Sequence, residues 1–340
     1  MAHGSGPQDF ARPGAAGAAP GAALPASKAD RGRGASGSRC FVRGLRSRQA
    51  NQEERFGWLL ISPSLALLLA MATFPLVFLV GMSTFRIELA NPLRNAWIGL
   101  ENYGRMLADP RFWHAVRITA IYTVSTVTLQ VGLGLTLALA FFRTFRGQAL
   151  LRVSVLLPMI LAPVVVGLGW RTLILTPEYG ILDYLAMLVG IGSQRWLSDP
   201  TLALVSVIAI HTWQWTPFAF LVFLASLYAL PPEPFEAAMI DRANAWQRFR
   251  YLTLPMLRPA IFVVVVLRTM IALRAFAAIF AATGGGPGTA TEILNLYAYR
   301  VSFNSLSLGY GAALATILLA ATASASWIFF RLRTGRSEGA

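Results

Sequence analysis

Six long apolar runs divide the chain, each bounded by short polar stretches, near 58–82, 115–141, 150–172, 202–228, 261–283 and 310–330. Each approaches the roughly 20 residues a helix needs to cross about 30 Å of hydrocarbon. Apart from closed barrels, only helices satisfy every backbone group within lipid, and these runs lack the alternation of barrel strands. The pattern predicts an all-α integral membrane protein with six transmembrane helices in a domain covering residues 51–335. Residues 1–50 follow another pattern, rich in Gly, Ala, Ser and Arg with few large apolar side chains. Such a segment buries too little to offset its conformational entropy, so a disordered basic tail is expected there. It has no apolar central stretch, which argues against a secretory signal peptide.

Composition agrees with the pattern: 56% of residues are hydrophobic and 13% charged, against about 25% charged in a typical soluble domain. The net charge of +14 raises the question of nucleic acid. The basic residues, however, sit in short clusters between apolar runs, and the aromatic residues lie inside those runs. That placement argues for a lipid bilayer and against nucleic acid. Cys40 is a lone cysteine, and His3, His114 and His211 are far apart, so no disulfide or metal-ligand spacing arises. The run Gly284-Gly285-Gly286-Pro287-Gly288 lacks the lysine of a nucleotide loop. No cofactor and no metal site is expected, and any ATP hydrolysis must reside in a separate subunit; the chain is not expected to be an enzyme.

The loops fix an orientation. The segments 1–57, 142–152, 229–260 and 331–340 hold 19 Lys and Arg residues, and the three alternate loops hold six. The positive-inside bias therefore predicts that both termini are cytoplasmic. It also makes 229–260 the longest cytoplasmic connection, between the fourth and fifth helices.

That connection reads as two short helices. Pro231, Pro232 and Pro234 stop the fourth span and suit the first turn of a new helix, where Glu236 complements the dipole. Ala237 and Ala238 keep one side narrow, while Phe235, Met239 and Ile240 supply an apolar face. Asn244 followed by Gln247 marks a second helix start, and Trp246, Phe249 and Leu252 continue the stripe to Pro255 and Pro259. An amphipathic helix lying on lipid headgroups is one reading. A protein-docking element is the other, favoured by acidic residues that an anionic membrane surface would repel.

The same residues resemble the cytoplasmic "EAA" signature of binding-protein-dependent ABC importer permeases. Glu236, Ala237, Ala238, Asp241, Ala243, Phe249, Leu254, Pro255, Leu257 and Pro259 match it, and Arg242 stands where that family usually has glycine. Glycine would permit a positive backbone angle in the turn, so Arg242 must either strain or leave the turn to a neighbour such as Asn244. "GLENYGRMLADPRFW" (Gly99–Trp113) and "TGGGPGTATEILNLYAYRVSF" (Thr283–Phe303) resemble segments of the carbohydrate-type, first-partner permeases. The resemblance implies an importer in the bacterial inner membrane that moves a sugar, polyol or sugar phosphate by alternating access. It implies a heterodimer with a second permease subunit, two ATP-binding subunits and an extracytoplasmic substrate-binding protein. It also implies that Glu236, Ala237, Ala238, Asp241, Arg242, Ala243, Phe249 and Pro255 couple the chain to the ATPase.

Polar residues within the runs are candidates for the substrate path, because polar groups at that depth face the bundle interior or a cavity. The fourth run carries His211, Trp213, Gln214, Trp215 and Thr216, of which Trp213 and Gln214 are the first candidates. The alternative is packing of the tryptophans and a helix-to-helix bond from Gln214. The fifth run carries Arg268 and Arg274, with Phe276 close by. Arg274 stands about 22 Å past Pro259 at helical rise, either on the path or in an internal ion pair. The resembling family often has aspartate after the phenylalanine; this chain has Ala277. No Asp or Glu lies in any of the six runs, which argues against a secondary transporter driven by an ion gradient. No catalytic pair suggests a membrane enzyme. Within the importer class, a polyamine or glycerophosphodiester is the alternative solute.

Overall fold

Helices make up nearly all regular structure in the computed structural model, which describes residues 36–143 and 145–337. The chain divides into two units, Met1–Ala70 and Met71–Ala340. The first helix, α1 (Ser36–Ser83), includes residues 36–50, which were expected to lack structure. Leu, Arg, Gln, Ala and Glu dominate 45–55, all good helix formers, and they run straight into the first apolar stretch. The remainder of the expected tail, residues 1–35, lies outside the described residues.

In the second unit a two-residue hairpin pairs β1 (Phe85–Arg86) with β2 (Ala96–Trp97) in antiparallel register. Next come α2 (Glu101–Ala108) and α3 (Pro110–Phe142), the latter capped by Asp109, whose carboxylate accepts from the Arg111 amide at 2.9 Å. The third run is α4 (Gln148–Ile160) and α5 (Pro163–Gly169), which continues as a π turn, Trp170–Ile174. Then follow α6 (Ile181–Leu188) and α7 (Pro200–Tyr228). The connection after α7 holds α8 (Glu233–Ile240), α9 (Ala245–Arg248) and α10 (Leu254–Met256). The chain ends with α11 (Arg258–Leu273), α12 (Ala277–Thr283), α13 (Leu294–Tyr299) and α14 (Leu308–Ser337).

Four segments, Ile61–Ser83, Pro110–Phe142, Pro200–Tyr228 and Leu308–Phe329, are long and apolar enough to cross a membrane. Counting each of two bent pairs as one span raises the number to as many as six. Two runs expected as continuous helices are broken. The run 150–172 bends by 101° between Ile160 and Pro163. Pro158 removes an amide from the ladder, and Pro163 forces the residue before it out of the helical region, so Leu161 and Ala162 are extended. The run 261–283 stops at Leu273 and resumes at Ala277.

The bundle forms around α3 and α7, which run parallel. Ile118 and Tyr122 meet Val207 and Ile208 near one end; Ala138 and Phe141 meet Phe220, Phe223 and Leu227 near the other. Gly134 lets them close up: a Cβ there would stand 2.6 Å from the Ala219 Cβ. Gly167 does the same for α5 against α12, where a Cβ would stand 2.4 Å from the Ala278 carbonyl oxygen. Small residues at such contacts are how apolar helices approach closely when lipid competes for their surface. The connection 177–196 is organised by the buried Asp183, which accepts from the amides of Glu178 and Gln194 (both 2.7 Å), the Ser193 hydroxyl (2.7 Å) and the Trp196 indole (3.0 Å). The Gln194 amide is foremost in holding its carboxyl down to about 2.

Candidate functional site

The connection from Pro231 to Pro259 forms an elbow. Pro232 caps α8, Pro234 occupies its first turn, and Glu233 and Glu236 lie in that same turn. The helix ends in a Schellman motif: the Ala243 amide donates to the Ala238 carbonyl (2.9 Å) and the Arg242 amide to the Met239 carbonyl (3.1 Å). Arg242 itself takes the left-handed conformation, φ +56°. The positive angle thus falls on arginine, whereas Asn244 is extended at φ −72° and serves as the next N-cap. There the expected capping box is complete, with Asn244 N–H donating to Gln247 Oε1 and Gln247 N–H to Asn244 Oδ1, both at 2.8 Å. A π turn over Phe249–Thr253 and Pro255 in α10 lead into α11, bent 61° from Ala245–Met256. Glu236, Ala237, Asp241 and Arg242 are exposed; Ala238, Ala243, Phe249 and Pro255 are half-buried. Ile240 is 83% exposed and Trp246 68%, and the Trp246 ring stands 5.6 Å from that of Phe249. The elbow therefore offers an apolar face and an acidic helix start that meet no partner among the described residues.

A second feature lies inside the bundle. The two broken runs meet at a cavity of about 410 Å³, bounded by Pro163 of α5 and by residues 274–279 of the α11–α12 break. Tyr122 of α3, His211, Gln214 and Trp215 of α7 and Ile271 of α11 complete its wall. Irregular backbone at membrane depth is tolerated where it is buried in protein or lines a cavity, and both breaks satisfy that condition. Gln214 is buried and donates to the carbonyl of Leu161, in the first break, at 3.1 Å; its Oε1 has no donor among the described residues. Arg274, exposed, caps α11 and donates from Nε to the Met270 carbonyl at 3.3 Å. Asn295 ties the second break down by donating to the Arg274 carbonyl at 3.2 Å. Phe276 stacks on Phe280, with ring centroids 5.3 Å apart, and meets the edge of Tyr299 at 5.1 Å.

Three of the four expected path residues, Gln214, Arg274 and Phe276, are thus brought together. Trp213 is not among them. One helical residue away from Gln214, it turns by about 100° onto another face. There it meets Trp170 with centroids 5.6 Å apart and lines a separate apolar groove of about 610 Å³. Arg274 has no acidic partner among the described residues; its side-chain bond goes to a carbonyl. Arg268 is fully buried, donating from Nε to Gln130 Oε1 at 2.7 Å, and Gln130 donates in turn to the His211 carbonyl at 3.1 Å. Tyr122 and Gln130 were not singled out by sequence reasoning. Gln130 carried a usable signal, as the one amide in the run 115–141.

At the end of the bundle where α3 and α7 begin, Glu292 is fully buried between two arginines. Arg111 donates to it twice and Arg300 once, each at 2.8 Å. Asp109 accepts from the hydroxyls of Tyr297 and Tyr310. Burial pushes the Asp109 carboxyl up, but the two tyrosine hydroxyls and the Arg111 and Phe112 amides together hold it below the usual value. Burial, aided by the bond to Asp109, raises the Tyr297 hydroxyl to about 12.

The profile of the family described as "Binding-protein-dependent transport system inner membrane component" matches residues 130–335. The chain belongs to this family. It is 34% identical over 297 residues to the trehalose/maltose transport system permease protein MalF of Thermococcus litoralis, covering 86% of this chain and 97% of that one. It is also 34% identical over 287 residues to the trehalose transport system permease protein SugA of Mycobacterium tuberculosis, covering 84% and 91%. The fold is similar to a crystal structure of a bacterial ABC transporter involved in the import of the acidic polysaccharide alginate (TM-score 0.69, 21% identity, 84% of this chain and 99% of that one). These relatives are permease proteins rather than enzymes, and the chain is an ABC-importer permease like them.

Proposed function

We propose that the chain is one of two permease subunits through which a sugar, or a related polyol or sugar phosphate, is imported at the expense of ATP hydrolysed elsewhere. Its partners are a second permease, two ATP-binding subunits and an extracytoplasmic substrate-binding protein. Six spans cross the membrane, counting the bent third and interrupted fifth as one each, with both termini in the cytoplasm. The elbow from Glu236 through Asp241, Arg242 and Ala243 to Phe249 and Pro255 seats on the ATPase. Gln214, Arg274 and Phe276 line the solute route, with Trp213 supporting α7 from the neighbouring groove.

The observation that carries this reading is the cavity at the meeting of two helix breaks. It combines aromatic faces (Trp215, Phe276) with inward polar groups (Tyr122, His211, Gln214), the combination that grips a sugar ring and its hydroxyls. The relatives, named as trehalose and maltose permeases, point the same way. A polyamine would call for carboxylates, and none lines the cavity. The elbow suits a lever, stiffened by prolines at both ends and by two consecutive capping motifs, with its apolar face free for a partner groove.

The test is Glu236→Lys in the complete importer. A lysine at a helix N-terminus opposes the dipole and reverses the charge offered to the ATPase. Membrane insertion should be normal and ATP-driven uptake abolished; wild-type coupling of ATP turnover to uptake in that variant would overturn the assignment.

A further inference from the structure

Arg268 is the largest side chain among those described as fully buried. Its guanidinium carbon stands 4.6 Å from the centroid of the Trp215 ring, and its Nε is bonded to Gln130. Its two terminal nitrogens, Nη1 and Nη2, have no acceptor among the described residues. A guanidinium stays protonated in proteins, so this group cannot neutralise itself as a buried lysine or carboxyl does. A charge held within a membrane bundle is costly unless an opposite charge or a full set of acceptors meets it. None of the segments 61–83, 110–142, 148–174, 200–228, 258–283 and 308–329 contains an Asp or Glu to do so.

Arg268 does not itself line the cavity but lies directly behind residues that do. Trp215, over which its guanidinium lies, lines the cavity, as does His211, whose carbonyl takes the other end of the Gln130 amide. Two more buried polar atoms there lack partners, the Tyr122 hydroxyl and Gln214 Oε1. Arg274 adds a second positive charge to the same cavity. The lining thus holds one cation, Arg274, with hydrogen-bonding groups, aromatic faces and no anion, and the Arg268 guanidinium lies behind it against Trp215.

We infer that the solute carries an oxyanion, a carboxylate or a phosphate, on its polyhydroxylated frame, and that Arg268 and Arg274 supply the counter-charge during passage; this rests on the carbohydrate-importer reading above. The guanidinium offers the forked donors that match either oxyanion. In the present conformation the Trp215 ring covers it. Passage requires that ring to be displaced, so that the counter-charge becomes available when α7 and α11 shift against each other. The aromatic faces and the orphan Tyr122 and Gln214 oxygens serve the neutral part of the same solute.

The experiment uses the complete importer with its binding protein in proteoliposomes. Equimolar pairs are offered outside, namely glucose with glucuronate and glucose 6-phosphate, galactose with galacturonate, and glycerol with sn-glycerol 3-phosphate, together with maltose and trehalose. Solutes accumulated in the lumen on ATP addition are identified by mass spectrometry. The expected result is accumulation of acidic members, with the carboxylate and phosphate arms separating the two oxyanions. Arg268→Gln should lower that uptake at least about tenfold and Arg268→Lys less, because a buried charge partner is removed in one and kept in the other. Ala277→Asp guards against a folding defect. It lines the cavity at the first turn of α12, where a carboxylate is compatible with the helix, and should compete with the solute and lower uptake similarly, while Ala277→Asn retains it. Accumulation of neutral members alone, or acidic uptake indifferent to both charge changes, overturns the inference and leaves the importer reading standing. Absence of every carbohydrate from the lumen overturns the carbohydrate reading and the inference with it.

Discussion

The elbow and the cavity are built from the same alphabet of prolines, aromatics and a few charges, yet they are assembled in opposite ways. Each part of the elbow is set by residues within five positions of one another: Pro232 and Pro234 at the start, Ala238 to Ala243 in the Schellman turn, Asn244 and Gln247 in the capping box. The cavity depends on residues over 100 positions apart, with Gln130 reaching Arg268 and both helix breaks converging on α7. Damage to the cavity should therefore spread through the bundle, whereas damage to the elbow should stay local and show mainly in coupling.

The largest expected effect follows from the Gln130–Arg268 bond. Gln130→Leu removes the one hydrogen bond that the buried guanidinium makes to another side chain and should lower stability by about 2–3 kcal/mol. Denaturant unfolding of the purified permease in detergent measures it, and an unchanged midpoint would mean the bond is not what seats Arg268. The next effect separates the two tryptophan-flanked faces of α7. Gln214→Ala should reduce uptake roughly tenfold, since a buried polar group at the cavity is lost. Trp213→Ala, in the other groove, should leave uptake within about twofold, because it removes only packing against Trp170. Equal losses from both would place Trp213 on the route and undo the distinction.

These cases show what could be read in the sequence. The apolar runs, the loop with its prolines and the Asn244–Gln247 box depend on local pattern, and the structure has helix along each run and a cap at the box, with two of the six runs broken. The breaks at Leu161–Ala162 and Arg274–Phe276 were not anticipated, although Pro158 and Pro163 were visible, because an apolar run of full length outweighed two prolines within it. The meeting of Gln214 with Arg274 and Phe276, and its separation from Trp213, depends on the rotation of α7 against α5 and α12. The packing of α7 depends on close contacts such as Gly134 of α3 against Ala219, and that of α5 on α12 on Gly167 against Ala278, which no spacing rule reveals. Tyr122 became meaningful only once α3 was known to run beside α7, whereas Gln130 was legible as the one amide of its run but its partners were not.

A smaller effect tests whether the elbow really is local. Asn244→Ala deletes the capping box and should destabilise α9 by about 1 kcal/mol. Hydrogen exchange should accelerate at the Gln247 amide, which the Asn244 side chain holds, while the amides of α3 and α7 keep their protection. Faster exchange deep in the bundle would show that the elbow and the core unfold as one unit, and the contrast between the two regions would fail.

The smallest effect concerns Arg242, the position where sequence reasoning left two outcomes open. Its φ of +56° places a side chain bearing a Cβ in the left-handed region, at a cost of about 1 kcal/mol. Glycine would relieve that cost but would also add freedom to the unfolded chain, which offsets part of the gain, leaving roughly 0.5 kcal/mol in favour of Arg242→Gly. The amides of Arg242 and Ala243, which close the Schellman motif, should then exchange more slowly by about twofold. If transport also falls in this variant, arginine is retained for a contact its exposed guanidinium makes with the partner, and the strain is tolerated for coupling. If transport is unchanged, the elbow needs only the shape of the turn. Faster exchange at these two amides in the glycine variant would contradict both, because it would mean that the arginine side chain stabilises the turn it strains.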